Sequence, residues 1–296
     1  MSDILTHIDA GVMTLTFNRL EKKNSITGDM YASMAQAVDQ AQADPAIRVL
    51  VIQGHESIFS AGNDIGDFLN KPPSTVDSPV FHFMRALTMF EKPVIAAVAG
   101  PAVGIGTTLL FHCDLVYAGD NAAFSMPFVN LGLCPEFASS MLAPQMFGYH
   151  RAAEALLLGE AFFAEAALEI GLVNRVVPRG ELEVATLKFA RRLSLIAPES
   201  LVATKRELEL MKDVVDAAAE AVFAEKGKRI EYLGGSRCAY VPPRGPNDNR
   251  TSGERLSLVH RWRPGPQLNC PRNSSDTRRR AVTNCYDVAQ TPTATL

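Results

Sequence analysis

No apolar run in this sequence reaches the length of about 20 residues that a membrane-spanning helix requires. The first residues, Met1-Ser2-Asp3-Ile4, also lack the basic start and the apolar segment of a secretory leader. Both absences predict a cytoplasmic protein without a membrane partner.

Cysteine and histidine are few, and neither is clustered. The five cysteines have no metal-ligand or redox spacing, and the six histidines are scattered along the chain. We therefore predict neither a metal site nor a cysteine nucleophile, and we expect Cys113 and Cys134 to fill space in the core. The Ser139-Ser140 pair lacks the Gly-x-Ser-x-Gly setting of a nucleophile elbow.

Lysine is absent from the C-terminal part of the sequence. Between Arg237 and Leu296 there are ten arginines, no lysine, four acidic residues and only weak apolar periodicity. The one basic run is Arg278-Arg279-Arg280, and aromatic residues hardly interleave with it, so we predict no nucleic-acid partner. This composition predicts disorder, and we interpret residues 237–296 as an atypical tail that is appended or out of frame.

What the sequence does contain is an alternation of strand-like and helix-like segments. With 296 residues, of which 47% are hydrophobic and 21% charged, the chain is long enough to bury a large core. The alternation predicts one α/β domain with right-handed crossovers, plus an appendage. The predicted strands are 11–17, 49–53, 93–98, 115–118 and 123–125, and the predicted helices are 27–43, 81–90, 106–112, 151–158, 164–170 and 181–194.

Two glycine-bearing turns are the most informative feature of the sequence. Residues 59–64 read Phe-Ser-Ala-Gly-Asn-Asp and follow the apolar run 49–52. Residues 100–106 read Gly-Pro-Ala-Val-Gly-Ile-Gly and follow the apolar run 93–98. Turns of this kind present free main-chain N–H groups at strand ends and at a helix N-terminus. Because such donors can hold a carbonyl oxygen that becomes an enolate, we interpret the turns as two halves of an anion hole.

Other interpretations of these residues stay open. The Gly104-Ile105-Gly106 segment is similar to the start of a dinucleotide-binding fingerprint, although the third glycine is missing. The glycines can also serve close packing alone. Asn63 is compatible with a role that uses only its tolerance of positive φ. Asp64 is interpreted as a helix cap or a salt-bridge partner.

The motifs around both turns resemble those of the crotonase superfamily, the enoyl-CoA hydratases and isomerases. The resemblance runs from about Ile4 to Gly235 in the family's order and spacing. It implies a spiral of repeated ββα units as a catalytic core over residues 1–195, followed by a helical C-terminal region over residues 196–236. The motifs that carry it are residues 18–24, 60–65, 99–104 and 113–118.

The resemblance also implies a substrate and an assembly. The substrate would be an acyl-CoA, with no cofactor beyond the coenzyme A of its thioester, and the assembly would be a homotrimer or a dimer of trimers. In the family two backbone amides polarise the thioester carbonyl, and by position they belong to Asn63 and Ile105. The substrate-binding turns would then comprise Ala61, Gly62, Asn63, Asp64, Ile65, Gly104 and Ile105.

The positions of the two hydratase glutamates carry other residues in this sequence. They read Thr108 and Phe128, and neither side chain transfers a proton near neutral pH. Glu136 lies eight residues beyond Phe128. It stands where the resemblance to the Δ3,Δ2-enoyl-CoA isomerase branch places a single proton-shuttling glutamate. The alternative interpretation is an ordinary acidic residue in the first turn of the following helix.

The resemblance favours an isomerase that moves a double bond from C3 to C2 with Glu136 as its base. A raised pKa would suit Glu136 to this role, and we expect its neighbours Leu133, Cys134, Phe137 and Met141 to form the apolar pocket that raises it. A hydratase-type enzyme on the same scaffold and a weakly active acyl-CoA-binding relative are the alternatives.

Overall fold

The computed structural model describes residues 2–71, 75 and 77–208, together with the backbone at 230–231 and 239–240. The predictions made for the helical region 196–236 and for the tail 237–296 therefore fall mostly outside the described residues. The same holds for residues 72–74 and 76.

The strands of the described residues form two main sheets. The larger sheet has the order β1-β2-β3-β4-β6-β9 and is parallel except for the antiparallel pair of β1 and β2, and the smaller sheet has the order β5-β7-β8. A separate antiparallel pair joins β10 and β11. The bounds are β1 (Ile4–Asp9), β2 (Val12–Phe17), β3 (Val49–Gln53), β4 (Val94–Val98), β5 (Pro101–Val103), β6 (Leu115–Gly119), β7 (Ala123–Ser125), β8 (Phe162–Phe163), β9 (Arg175–Val177), β10 (Ile230–Glu231) and β11 (Ala239–Tyr240).

The chain passes repeatedly from the large sheet to the small one. β4 is followed at once by β5, and β6 is followed by β7. Each of these pairs leads into helical turns before the chain returns to the large sheet. This succession of strand, strand and helix confirms the predicted α/β spiral of ββα units.

The helices agree with the predicted segments, with one correction. The segment 106–112 is an α-helix only to Thr108 and continues as a 3-10 helix over Leu109–His112, because the chain must become extended at Cys113 to enter β6. No helix of the described part of the chain is long and apolar enough to cross a membrane. The helices are α1 (Gly28–Ala43), α2 (Ile65–Asn70), α3 (Pro79–Thr88), α4 (Ile105–Thr108), α5 (Ser139–Phe147), α6 (Tyr149–Leu158), α7 (Ala164–Glu169) and α8 (Leu182–Ser194), and a further helix is described over 198–208.

Both faces of the large sheet are buried. Leu50 and Ile52 of β3 belong to the core that includes α1 and α3, whereas Val51 between them belongs to the core that includes α8. Successive residues of a strand point to opposite faces, so a strand covered on both sides is apolar throughout. This explains why residues 49–52 and 94–98 read as continuous apolar runs.

The prediction for the cysteines is correct for one residue and wrong for the other. Cys113 is half-buried and packs against the main core. Cys134 is exposed, as is Leu133 beside it, because the chain before α5 runs over the surface.

Lys92, which lies two residues before β4, binds the end of α1 and the turn that follows it. Its ammonium group donates to the carbonyl oxygens of Ala41, Asp44 and Ile47 at 2.6, 2.8 and 2.8 Å. The last carbonyls of a helix have no partner within the helix. Lys92 therefore satisfies acceptors at the point where the chain leaves α1 and turns into β3.

Replacing Lys92 tests this connection. We expect Lys92→Met to lower the free energy of unfolding by about 2 kcal/mol, because three hydrogen bonds from a charged donor to part-buried carbonyls are lost. Lys188→Met, at an exposed position of α8, is the matched control and should change stability by no more than about 0.5 kcal/mol. Urea unfolding measures the stability of both variants. A Lys92→Met variant as stable as the parent protein would contradict the role given to Lys92.

Candidate active site

The two glycine turns lie side by side in the spiral. Ser60 forms a parallel bridge with Ala102, and the amide of Val103 donates to the carbonyl oxygen of Ser60 at 2.9 Å. Gly62 has a φ of +88°, and a Cβ atom at that position would lie 2.9 Å from the carbonyl oxygen of Val103. Only glycine fits there. The turns are thus in direct main-chain contact.

The N–H group of Asn63 points away from Ile26, the residue with which it forms an isolated parallel bridge. The carbonyl of Gly62 accepts from the amide of Ile26 at 2.8 Å, and the amide of Asp64 donates to the carbonyl of Ile26 at 2.9 Å. The N–H and C=O groups of one trans peptide point in opposite directions, so the Asn63 N–H points away from Ile26. It has no acceptor among the described residues.

The N–H group of Ile105 is in a comparable position at the start of α4. The carbonyl of Gly104, in the same peptide, accepts from the amides of Thr107 and Thr108 at 2.9 Å each. Gly104 has a φ of +56°, which directs the chain into this tight turn. Within the described ranges the Ile105 amide has no acceptor either, and the Ile105 side chain is fully buried.

Asp64 is a helix cap and an ion-pair partner, as predicted. Its carboxylate accepts from the amide of Asp67 at 3.0 Å, and it pairs with the Arg19 guanidinium at 2.7 Å. The hydrogen bond from Arg19 is the main cause that lowers the pKa of Asp64 to about 2. Asp64 is therefore ionised at neutral pH and fixes the first turn of α2.

The side chain of Asn24 holds the residues that lead into the first glycine turn. Its side chain is fully buried, donates to the carbonyls of Ile58 and Phe59, and accepts from the amide of Arg19 at 2.8 Å. The Ser60 hydroxyl in turn donates to the Asn24 carbonyl at 2.9 Å. These bonds fix the turn before it reaches Gly62.

Glu136 is buried and lacks a partner for one of its oxygens. It is 4% exposed, and its Oε1 has no hydrogen-bond partner among the described residues. Burial raises the pKa of Glu136 to about 7, because the charged form loses its hydration. The expected raised pKa is thus present, and the carboxyl titrates near neutral pH.

The turn that carries Glu136 has an unusual backbone. Phe137 and Ala138 both have positive φ angles, 54° and 56°, which non-glycine residues rarely adopt. The Ser139 hydroxyl donates to the Glu136 carbonyl at 2.6 Å, and His112 Nε2 lies 3.0 Å from the Phe137 carbonyl oxygen while its ring stacks on the Phe137 ring. These contacts hold a strained conformation in place.

The pocket around Glu136 differs from the one predicted. Of the four sequence neighbours, Phe137 is buried and Met141 is half-buried, whereas Leu133 and Cys134 are exposed. The prediction for Leu133 and Cys134 is therefore wrong. Residues distant in sequence surround the carboxyl instead.

Glu136 and Asn63 both line a cavity of about 190 Å³. Asp64 also lines it. Ala61, Gly62, Gly104 and Ile105 are not among its lining residues, and Ile65 is 60% exposed at the start of α2. The described part of the chain holds no group of histidine, cysteine, aspartate and glutamate residues that could bind a metal ion. The lining residues are Ile26, Gly28, Asp29, Tyr31, Asn63, Asp64, Asp67, Phe68, Lys71, Ser78, Pro79, Val80, Phe81 and Glu136.

Sequence reasoning missed Tyr31. This buried residue of α1 lines the same cavity, and its hydroxyl donates to Asn63 Oδ1 at 2.5 Å. In the sequence it stands among the apolar positions of an amphipathic helix. No local signal distinguishes it from a core aromatic residue.

Known proteins resemble this chain in sequence. The family model for enoyl-CoA hydratase/isomerase matches residues 7–233. Enoyl-CoA delta isomerase 2 of Rattus norvegicus is 36% identical over 208 residues, which are 68% of this chain and 53% of that protein. The 1,2-epoxyphenylacetyl-CoA isomerase of Escherichia coli (strain K12) is 37% identical over 201 residues, which are 66% of this chain and 77% of that protein.

Solved structures share the fold. The structure of Pseudomonas aeruginosa OdaA superposes with a TM-score of 0.71 at 44% sequence identity, and the match covers 88% of this chain and 100% of that chain. The match to the rat protein, in contrast, spans only about half of that relative's length.

The raised pKa of Glu136 predicts a pH-dependent stability. An unfolded glutamate titrates near 4.5 and the folded one near 7, so the folded state holds its proton longer and stability falls as the pH rises from 4.5 to 7. Above pH 7 the penalty is on the order of 3 kcal/mol, because each pKa unit corresponds to about 1.4 kcal/mol.

The variant Glu136→Gln carries no charge and escapes this penalty. We expect it to be more stable than the parent protein at about pH 8.5 and equally stable at about pH 4. Glu160→Gln, at an exposed position, is the control and should follow the parent at both values. Urea unfolding at the two pH values measures the difference in stability between Glu136→Gln and the parent protein. The same difference at both pH values would show that folding does not raise the pKa of Glu136.

Proposed function

The chain belongs to the enoyl-CoA hydratase/isomerase family, and on that premise we propose that it moves a double bond from C3 to C2 of an acyl-CoA. The observation that carries the proposal is one buried carboxyl, Glu136, which lines the same cavity as Asn63. The two positions that would supply a pair of water-handling glutamates hold Thr108 and Phe128, which are both buried.

The chemistry needs a single base. The ionised carboxylate of Glu136 removes a proton from C2, and the electron pair moves onto the thioester oxygen as a dienolate. The proton then returns from Glu136 to C4, the double bond lies between C2 and C3, and no atom is gained or lost. A carboxyl with a pKa of about 7 is well matched to this transfer, because an appreciable fraction is ionised at neutral pH.

The two turns would stabilise the negative charge of the dienolate. The amides of Asn63 and Ile105 have no acceptor among the described residues, which suits them to donate to the thioester oxygen. Main-chain donors fixed before the reaction need no rearrangement when the charge develops, and one such donor typically contributes about 3 kcal/mol. The main-chain contact between the turns supports a common target for both donors.

Some expectations from the sequence stay predictions. These are the cytoplasmic location, the homotrimer or dimer of trimers, and the need for no cofactor beyond coenzyme A in the substrate. Each concerns a property of the whole protein, and the match covers only part of some relatives.

Assays with two substrates test the proposal. Purified protein is given 3-enoyl-CoA and 2-enoyl-CoA in parallel, and we expect conversion of the first to the 2-enoyl product with little hydration of the second. Hydration as the main activity would favour a hydratase-type enzyme. Binding without turnover of either would indicate a weakly active acyl-CoA-binding relative.

The variant Glu136→Gln tests the base in the same assay. We expect isomerisation to fall by at least about 100-fold while acyl-CoA affinity stays within a few-fold, because the amide keeps the shape but accepts no proton. For the parent protein, turnover should rise with pH as Glu136 ionises, and the midpoint of this rise should lie near pH 7. Glu160→Gln is the control. Full turnover in Glu136→Gln would remove Glu136 from the mechanism.

A further inference from the structure

Tyr31 connects helix α1 to the first glycine turn. Its hydroxyl donates to Asn63 Oδ1 at 2.5 Å, and both residues line the cavity that contains Glu136. The tyrosine ring is 4% exposed and packs on Phe83 of α3, with ring centroids 5.8 Å apart. Tyr31 is therefore held by two helices and has its polar end at the site.

The hydroxyl of Tyr31 remains a donor at every relevant pH. Burial, and secondarily the charge of Glu136, raise the pKa of Tyr31 well above its ordinary value. A neutral phenol has one proton to give, and it gives that proton to Asn63.

Three hydrogen bonds converge on the residues around Asn63. Two join the backbone of Ile26 to Gly62 and Asp64 on one side, and the third joins Tyr31 to the Asn63 side chain. The first two set the direction of the peptide that carries the Asn63 N–H. The third fixes the Cα substituent of the same residue, which limits rotation about the backbone bonds on either side of that atom.

We propose that Tyr31 is a positioning residue that, through the side chain of Asn63, holds the Asn63 N–H in the direction required by the thioester oxygen. This inference rests on the proposed function. It gives the side chain of Asn63 a task of its own, in addition to that of its backbone. It also makes α1 part of the active-site framework rather than only of the core.

A double-mutant cycle tests the coupling. Tyr31→Phe keeps the ring and removes the hydroxyl, and Asn63→Ala removes the acceptor. We expect each to lower kcat about five- to tenfold with little change in KM, since one hydrogen bond to a fixed group is lost. The kcat of the double variant should be no lower than that of either single variant, because both substitutions remove the same hydrogen bond. The pH midpoint of turnover should stay near 7, because the burial of Glu136 is retained.

Tyr117→Phe is the matched control. Tyr117 is equally buried, lies in β6 against Phe189 and does not line the cavity. Its loss of a hydroxyl should leave kcat unchanged. Tyr31 has no positioning role if Tyr31→Phe and Tyr117→Phe change kcat alike. The same follows if the effects of Tyr31→Phe and Asn63→Ala on kcat multiply in full in the double variant.

A spectroscopic measurement separates this inference from the proposed function. A saturated acyl-CoA with a 13C-labelled thioester carbonyl is bound to the protein, and its C=O stretch is recorded by difference infrared spectroscopy. We expect a shift to lower frequency in the parent protein and a smaller shift in Tyr31→Phe, because the donor is less well directed. An equal shift in both would overturn the role of Tyr31 and leave the proposed function intact. No shift in the parent protein would overturn both.

Discussion

The main-chain contact between Gly62 and the carbonyl of Val103 is the constraint on which the site depends. A Cβ atom at position 62 would lie 2.9 Å from that oxygen, so any other residue would force the two turns apart. The same region carries the bridge between Ser60 and Ala102, and its loss would separate the residues that lead to Asn63 from those that lead to Ile105. Successive coils of the spiral thus build the site together, and close packing of backbone against backbone gives it its rigidity.

The rigid backbone around the site keeps Glu136 in an unfavourable, buried environment. Its burial lowers the stability of the protein at neutral and alkaline pH, and the two residues after it adopt left-handed conformations. The contacts from Ser139 and His112 to the carbonyls of this turn offset that cost locally. A residue kept in an unfavourable state by its surroundings is typical of a functional position.

The α/β class was predictable because its signals are local, whereas the spiral of ββα units was predicted from the family resemblance. Continuous apolar runs marked β3 and β4, and helical spacing marked α1 and α8. Glu136 was found through the family resemblance, since its position in a sequence says nothing about burial. Tyr31 and the true walls of the pocket were missed, because the contact from Tyr31 to Asn63 joins residues 32 positions apart. Local patterns show that a side chain is buried, and only the tertiary structure shows what lies beside it.

Thr108 and Phe128 bear on which chemistry a single buried carboxyl can support. Phe128 is buried, and its ring would lie 3.9 Å from a Cβ atom on Gly104. The Thr108 hydroxyl is buried without a partner among the described residues. A water molecule held for addition needs two to four polar partners, and this pair offers one hydroxyl and an aromatic ring. Proton transfer between two carbons of one substrate needs no such water, because the proton that the carboxylate takes is the one it returns. If the proposed function holds, this pair of residues therefore suits isomerisation better than hydration.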